Sequence, residues 1–390
     1  MSRFNAILLC LATLAFTASA ADPPASITFP APDIDPATGL ARTTVVKPMT
    51  DAPPAPGSRA GIPPPARPAA PSRPHIALIL PTSSLSLGRH AESVRQGFMV
   101  AAEVEGRNSL PVHLTAIDNE GTALLEACRY AQSTGASLVV AGLTRDGAQS
   151  LALSDCARQP VLALNEIRGE APIGMYTISP SLEQEARQAA LQAMSDGLRM
   201  AIIVGGNSAL SKRIQEAFER EWNRAAGESR KLAYNGVPDE APAMQDRIAN
   251  ARGDMVFFAL DPVEARAVRP YVSAMMPVYA TSYSVNPRAD QIVNVDLQGV
   301  RYAEMPWFVQ PDHPAVMIYP QPKVPLPVEQ ERLYALGIDA YRIGQQLLRG
   351  EEKKPLDGVT GRIVLEGEHQ FARTLEPAEI DGGRVVPLRQ

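Results

Sequence analysis

The chain has 390 residues, which is enough for two lobes of about 100 to 200 residues each. It is 45% hydrophobic and 20% charged, a composition that excludes a collagen-like or wholly disordered protein. The net charge of -5 argues against a nucleic-acid partner, because such binding depends on a surplus of basic side chains.

The first twenty residues have the order of a secretory signal peptide. Arg3 precedes an apolar run, residues 6–16, and the small residues 17–20 follow it, so we expect cleavage after Ala20. Cys10 has no small residue just before it, so the lipobox that outer-membrane anchoring requires is not convincing. No later run reaches the roughly 18 apolar residues of a membrane span, and the mature chain is therefore predicted to be a secreted, periplasmic protein without a transmembrane segment.

Residues 21–74 form a segment of their own. Of the 36 prolines, 15 lie between Pro23 and Pro74, and the segment shows neither a helical nor a strand period. We predict a disordered, proline-rich linker here, whose partner the composition does not name. The folded domain is then expected over residues 75–390.

Two cysteines, Cys128 and Cys156, remain after the predicted cleavage. Each lies in a predicted helix, and the two helices follow consecutive strands, so right-handed crossovers would place them on the same face of a sheet. They could form a disulfide in an oxidising compartment or remain two buried thiols, and both interpretations stay open.

The first half of the domain alternates strands with helices, a pattern that predicts a parallel sheet. The run His75–Leu80 is apolar throughout, as in a strand buried on both faces. The predicted strands are 75–80, 112–117, 138–141, 161–164 and 175–178, and the predicted helices are 89–105, 122–134 and 146–158.

The same alternation restarts after Ser179 and Pro180 and predicts a second lobe over about 181–300, the first covering about 75–179. Its predicted strands are 200–204, 255–260 and 277–280, and its predicted helices are 181–196, a long helix ending at 226, and 261–274. An amphipathic helix is expected at 328–348, with Glu331, Arg332, Asp339 and Arg342 facing out. The pattern alone allows this helix to join either lobe.

Three stretches near the end carry a resemblance to a known family. They are Met305–Val316, Glu331–Tyr341 and Asp357–Arg362, followed by Gly382–Gly383 and Val386–Leu388. They resemble the C-terminal half of the LppC/LpoA family of penicillin-binding protein activators. The resemblance spans about residues 75–388 and implies a two-lobed α/β clamp of the type I periplasmic-binding-protein kind, with three hinge crossings and the late helix returning to the first lobe.

The resemblance also implies a function. Members of this family are cell-envelope proteins that stimulate peptidoglycan synthesis by contact with a class A penicillin-binding protein, without chemistry of their own. The sequence is therefore expected to encode a non-enzymatic regulator with no cofactor. The alternative is a periplasmic receptor for a small, amino-acid-like solute.

Polar residues follow most of the predicted strands, where a clamp of this kind binds solutes with hydroxyl and main-chain N–H groups. The candidates for the ligand cleft are Thr82, Ser83, Ser84, Thr144, Asn165, Asn207, Ser208, Asp261 and Thr281. These residue types are also the ones that begin helices, so capping is an equally physical explanation for each.

Trp307 and Phe308 are candidates for a partner-binding surface, with core packing as the alternative for both. His313 beside Asp312 has no nucleophilic serine or cysteine motif to serve, so no catalytic residue is predicted. The histidines show no metal-ligand spacing, and no phosphate-loop or dinucleotide motif is present, so neither a metal nor a nucleotide is expected.

Overall fold

The computed structural model describes residues 73–106 and 109–388. The predicted signal peptide, and the predicted linker up to residue 72, lie outside this range. Within the described part of the chain, no helix is both long and apolar enough to cross a membrane.

The described residues begin with the first lobe, in which strands and helices alternate as predicted. Its elements are β1 (His75–Leu80), α1 (Gly88–Glu105), β2 (Val112–Ala116), α2 (Thr122–Ser133), β3 (Ala136–Ala141), α3 (Arg145–Ala152), β4 (Val161–Ala163) and β5 (Met175–Ile178). All six residues of β1 are buried, as its uninterrupted apolar sequence predicts, because the sheet is covered on both faces.

The second lobe follows with the same alternation. Its elements are α4 (Leu182–Ser195), β6 (Met200–Gly205), α5 (Ala209–Arg224), β7 (Glu228–Ala233), α6 (Ala243–Ala251), β8 (Met255–Ala259), α7 (Pro262–Val268), β9 (Val278–Ala280), α8 (Gln291–Asn294) and β10 (Val300–Glu304). Helix α7 is shorter than predicted: it ends at Val268, and the chain continues as a 3₁₀ turn, Arg269–Tyr271, in which Pro270 lacks the N–H donor that an α-helix would need.

The last part of the chain contributes to both lobes. It contains α9 (Pro306–Val309), α10 (Pro314–Met317), α11 (Val328–Arg349), β11 (Leu356–Gly358), β12 (Gly361–Glu366), β13 (Gln370–Thr374), β14 (Glu376–Asp381) and β15 (Arg384–Pro387). One sheet has eight strands in the order β11-β12-β13-β5-β4-β3-β1-β2, and the other has seven in the order β15-β14-β10-β9-β8-β6-β7. Both sheets are mostly parallel, with antiparallel strands at the edge formed by the end of the chain.

The chain passes between the two lobes at three short connections. They are residues 179–181 between β5 and α4, Met305 between β10 and α9, and Leu375 between β13 and β14. We call these connections the hinge crossings. Their number agrees with the two-lobed clamp that the resemblance implies.

Helix α11 packs in the first lobe, directly against α1. Two glycines allow this close approach: an added Cβ at Gly97 would lie 1.8 Å from the main-chain oxygen of Tyr334, and one at Gly337 would lie 2.2 Å from that of Val94. Both distances are far below any real van der Waals contact, so the packing requires glycine at these positions.

The outward orientation that we predicted for the polar residues of α11 is wrong. Glu331 and Asp339 are buried, and the side chains of Arg332 and Arg342 are only 13% and 14% exposed. The helix is covered on nearly all sides, so its polar residues find partners inside the protein instead of water.

Cys128 on α2 and Cys156, in the short 3₁₀ turn after α3, form a disulfide with a Cα–Cα distance of 6.2 Å. Both residues are fully buried in the core between α2, α3 and the first sheet. The bond closes a loop of 28 residues, for which chain entropy gives a stabilisation of about 3.5 kcal/mol.

Candidate functional site

A cavity of about 650 Å³ lies between the two lobes, beside the hinge. The second lobe contributes residues that follow the carboxyl ends of β6, β8 and β9, and the first lobe contributes the start of α11. The lining is mainly apolar, with a few charged groups. It consists of Pro180, Leu182, Glu185, Leu210, Pro262, Arg266, Ser282, Tyr283, Val285, Asn286, Ala289, Val293, Met305, Pro327, Val328, Glu329, Arg332 and Leu333.

The predicted cleft residues do not converge on this cavity, since none of them belongs to its lining. Thr144, Ser208 and Asp261 cap the starts of helices instead. Thr144 accepts a hydrogen bond from the main-chain nitrogen of Gly147 at 3.0 Å, and Ser208 accepts one from that of Ser211 at 3.0 Å. Asp261 accepts from Val263 and Glu264 at 2.8 and 2.9 Å in a reciprocal capping box. The capping explanation therefore accounts for these three side chains.

The other candidates are also used locally. Thr82, Ser83 and Ser84 form the turn after β1, where the Ser84 hydroxyl lies 3.4 Å from the nitrogen of Leu87. Asn165 donates to the main-chain oxygen of Leu143 at 2.8 Å. These contacts position loops and place no side chain in the cavity.

Asn207 and Thr281 differ in exposure. The Asn207 side chain is exposed and lies 3.4 Å from Asn235, whereas Thr281 is fully buried and its hydroxyl has no hydrogen-bond partner among the described residues. Neither residue contacts the cavity.

Four charged side chains are buried around the hinge crossings. Arg332 of α11 donates to Glu304, the last residue of β10, at 2.7 Å. Glu185 of α4 accepts from the main-chain nitrogen of Ser282 at 2.8 Å. Arg373 of β13 donates to the main-chain oxygen of Ser179 at 3.1 Å and so joins two hinge crossings.

We call Glu185, Glu304, Arg332 and Arg373 the hinge cluster. Burial changes the pKa values of charged groups in this cluster. Desolvation raises the pKa of Glu185; the positive charge of Arg332 lowers it, and the negative charge of Glu304 raises it. Desolvation likewise lowers the pKa of Arg373 below its ordinary value. The cluster carries two potential positive and two potential negative charges in a region of low dielectric, where any unpaired charge is costly.

Trp307 is not on the surface, which corrects its assignment as an anchor for a partner. It is 1% exposed, packs against Tyr334, and its indole nitrogen donates to Glu331 at 2.9 Å. Phe308 is half-buried, with the guanidinium groups of Arg288 and Arg332 at 5.0 and 5.5 Å from its ring centre. Trp307 is therefore part of the buried packing at the hinge. Of the two residues, only Phe308 has a partly exposed side chain.

His313 also caps the start of a helix. Its Nδ1 accepts from the main-chain nitrogen of Ala315 at 3.2 Å and begins the short helix α10. Among the described residues, no group of three or more His, Cys, Asp or Glu side chains has an arrangement that could hold a metal ion.

Sequence comparison identifies the family. Residues 71–252 and 241–383 match the family described as "LppC putative lipoprotein", which together is most of the chain. The chain belongs to the LppC family. Curated relatives include the penicillin-binding protein activator LpoA of Vibrio cholerae, which is 26% identical over 353 residues, and that of Aliivibrio fischeri, which is 24% identical over 339 residues.

These LppC relatives are longer than the present chain. The alignments cover 78% and 77% of this chain but 56% and 55% of the relatives, so the chain spans about half the length of the curated relatives it matches. The relatives are named as activators, not as enzymes.

Two solved structures resemble the fold over their whole length. One is the C-terminal domain of LpoA from Haemophilus influenzae, described as a regulator of PBP1A, with 20% identity and a TM-score of 0.67 over 81% of this chain. The other is from Chromobacterium violaceum and is 37% identical, with a TM-score of 0.68 over 79% of this chain. Its name proposes a branched-chain amino acid ABC transporter.

Proposed function

We propose that this protein is a non-enzymatic, periplasmic regulator that binds a class A penicillin-binding protein and stimulates peptidoglycan synthesis. The observation that carries the proposal is the match of residues 71–383 to the LppC family, whose curated relatives are named penicillin-binding protein activators. The matched region is the two-lobed domain itself. We therefore assign the partner contact to this domain.

The chemistry of the described residues is consistent with action by contact. The buried charges at the hinge are engaged with one another or with the main chain, and His313 serves as a helix cap. None of these groups is placed beside an activated nucleophile. Phe308, half-buried between two arginines, remains a candidate for the partner surface.

Purified exported chain, mixed with the class A penicillin-binding proteins of the same organism, tests the proposal. We expect co-purification and an increase in glycan polymerisation or peptide crosslinking when lipid II is supplied. Heat-unfolded protein serves as the control, because contact requires the folded surface. Failure to bind or stimulate any of these synthases would contradict the proposal, and turnover of lipid II or peptidoglycan by this protein alone would show an enzyme.

The second candidate function is a solute receptor. Two observations favour it: the 37% identity to the C. violaceum structure and the mainly apolar cavity of about 650 Å³ between the lobes. The residues predicted from strand ends do not line that cavity, so the ligand contacts would come from their neighbours Leu210, Pro262 and Ser282.

A further inference from the structure

The chain contains a single Asn-Gly pair, Asn235 and Gly236. The pair lies in the loop between β7 and α6 of the second lobe, outside any helix or strand, and both residues are exposed. An asparagine is open to an internal reaction in which the main-chain nitrogen of the next residue attacks its side-chain amide carbon. Glycine in that next position favours the reaction, because the main chain of a residue without a Cβ rotates freely into the attacking geometry.

The fold leaves the attacking nitrogen unoccupied. The N–H of Gly236 has no hydrogen-bond partner among the described residues, and its φ of +76° lies in the region that glycine adopts without strain. The side chain of Asn235 is held only loosely. Its Nδ2 donates to Glu240 at 3.2 Å and its Oδ1 accepts from Asn207 at 3.4 Å, distances at and beyond the long end of the normal range.

Asn207, in the neighbouring loop, provides a comparison within the same lobe. It is exposed and lies outside helices and strands, and the N–H of the following Ser208 is likewise unbonded within the part of the chain that the structure describes. The difference is the following residue itself. Ser208 carries a side chain whose hydroxyl accepts from Ser211 at 3.0 Å, which fixes Ser208 at the start of α5. Of these two exposed asparagines, only Asn235 therefore has a mobile attacking group beside it.

We propose that Asn235 is a site of spontaneous deamidation in the folded protein. The nitrogen of Gly236 loses its proton and forms a bond to Cγ of Asn235. The bond between Cγ and Nδ2 breaks, Nδ2 takes up one proton, and ammonia leaves. Water then hydrolyses either C–N bond of the five-membered imide. One product is aspartate, and the other is isoaspartate, in which the main chain continues through Cγ.

Both products change the loop. The amide group that donates to Glu240 becomes a carboxylate, so a hydrogen bond is replaced by repulsion between two negative charges. Isoaspartate also adds one atom to the main chain. The buried Tyr234 donates from its hydroxyl to the main-chain oxygen of Val237 at 3.0 Å, a bond that spans the reacting pair and that a longer main chain would disturb. The inference holds whichever partner or ligand the protein has.

Peptide mapping by mass spectrometry tests the proposal. The purified exported chain is incubated in its folded state at about pH 7 and about pH 8.5, and a sample digested without incubation gives the zero point. We expect the Asn235 peptide to gain the mass of an NH2-to-OH exchange and to separate into two products, faster at the higher pH because attack requires a deprotonated nitrogen. Asn207, measured in the same digest, should convert about tenfold more slowly.

Asn235→Gln is the control variant, because a glutamine would have to close a larger ring. It changes an exposed loop residue, so it should fold as wild type does and show no mass gain at this position. The same incubation in urea measures the reaction without the fold. Asn235 that stays intact in the folded protein, with or without conversion in urea, would overturn the proposal. Equal rates at Asn235 and Asn207 would overturn it as well, since the glycine would then have no effect.

Discussion

The carboxyl group of Glu185 shows what burial at the hinge does to a single residue. It accepts the main-chain N–H of Ser282 and lies in the same cluster as Glu304 and Arg332, and desolvation raises its pKa. An acid whose pKa is raised on folding binds its proton more tightly in the folded state. The contribution of Glu185 to the free energy of unfolding therefore favours the folded state at low pH. This contribution is lost as the pH rises through the pKa that Glu185 has in the folded state.

Glu185→Gln removes this loss while keeping an acceptor for Ser282. We expect the free energy of unfolding of Glu185→Gln, relative to wild type, to increase as the pH rises from about 4 to about 8, because only wild type must ionise a buried carboxyl. Urea unfolding of both proteins across this range measures the difference. A difference that does not change with pH for Glu185→Gln would contradict the raised pKa.

The sequence patterns do not predict which residues line the cavity. Ser208, Asp261 and Thr281, candidates from the strand ends of the second lobe, are outside the lining, whereas Leu210, Pro262 and Ser282, one or two positions further along, belong to it. The strand ends were predictable because apolar runs stop there. The first turn of each following helix decides which side chains reach the cavity. Ser208 and Asp261 do not reach it, because their side chains accept hydrogen bonds from the main chain of that turn.

At the scale of the element, helices α1 and α11 depend on two glycines. Gly97→Ala or Gly337→Ala would place a methyl group against main-chain atoms that cannot move aside, so we expect a loss of at least about 2 kcal/mol despite the better helix propensity of alanine. Thermal and urea unfolding measure it. The control is Gly344→Ala on the same helix α11, whose added Cβ meets only the end of the Leu138 side chain at 2.9 Å.

We expect Gly344→Ala to stay within about 1 kcal/mol of wild type, because the Leu138 side chain can shift. Equal effects at Gly97 and Gly344 would show that glycine is not required by the contact between the two helices.

The elements that sequence patterns predicted are those with long apolar runs or a clear helical period. Strands β1, β5 and β6 were found within one residue of their ends for this reason. Strand β7, Glu228–Ala233, was missed because it is an exposed edge strand of mostly polar residues. Strands β10 to β15 were missed as well, since they are short and two of them, β11 and β15, lie at sheet edges where no continuous apolar face is required.

Helix α11 was placed correctly but its polar residues were assigned to the wrong side. An outward face is the default for charged residues on an amphipathic helix. The run Tyr334–Tyr341 holds a single charged residue, Asp339, which is the sequence signature of a helix buried all round. Asp339 accepts from the nitrogens of Val359 and Thr360 at 3.1 and 2.8 Å, contacts between distant segments that no local pattern encodes.

For the molecule as a whole, the central question is whether the interlobe cavity takes a solute. If the protein acts by contact alone, leucine, isoleucine and valine at millimolar concentration should not change its melting temperature. A saturable rise would support the receptor, since ligand at about 100 times its dissociation constant stabilises a fold by about 2.7 kcal/mol.

A variant that fills the cavity makes this measurement specific. Ala289→Trp places a large side chain at the cavity wall, whereas Ala225→Trp adds the same group at the exposed end of α5. A rise in melting temperature that survives in Ala225→Trp and disappears in Ala289→Trp would locate a solute between the lobes. A rise that survives in both would place the solute elsewhere.

The last forty residues supply strands to both sheets: β11 to β13 complete the first, and β14 and β15 complete the second. Neither half can therefore finish its hydrogen-bond network while the ribosome is still adding the carboxyl terminus. We therefore expect the two lobes to complete their sheets together and to unfold as one cooperative unit, since removal of residues 356–387 would take strands from both.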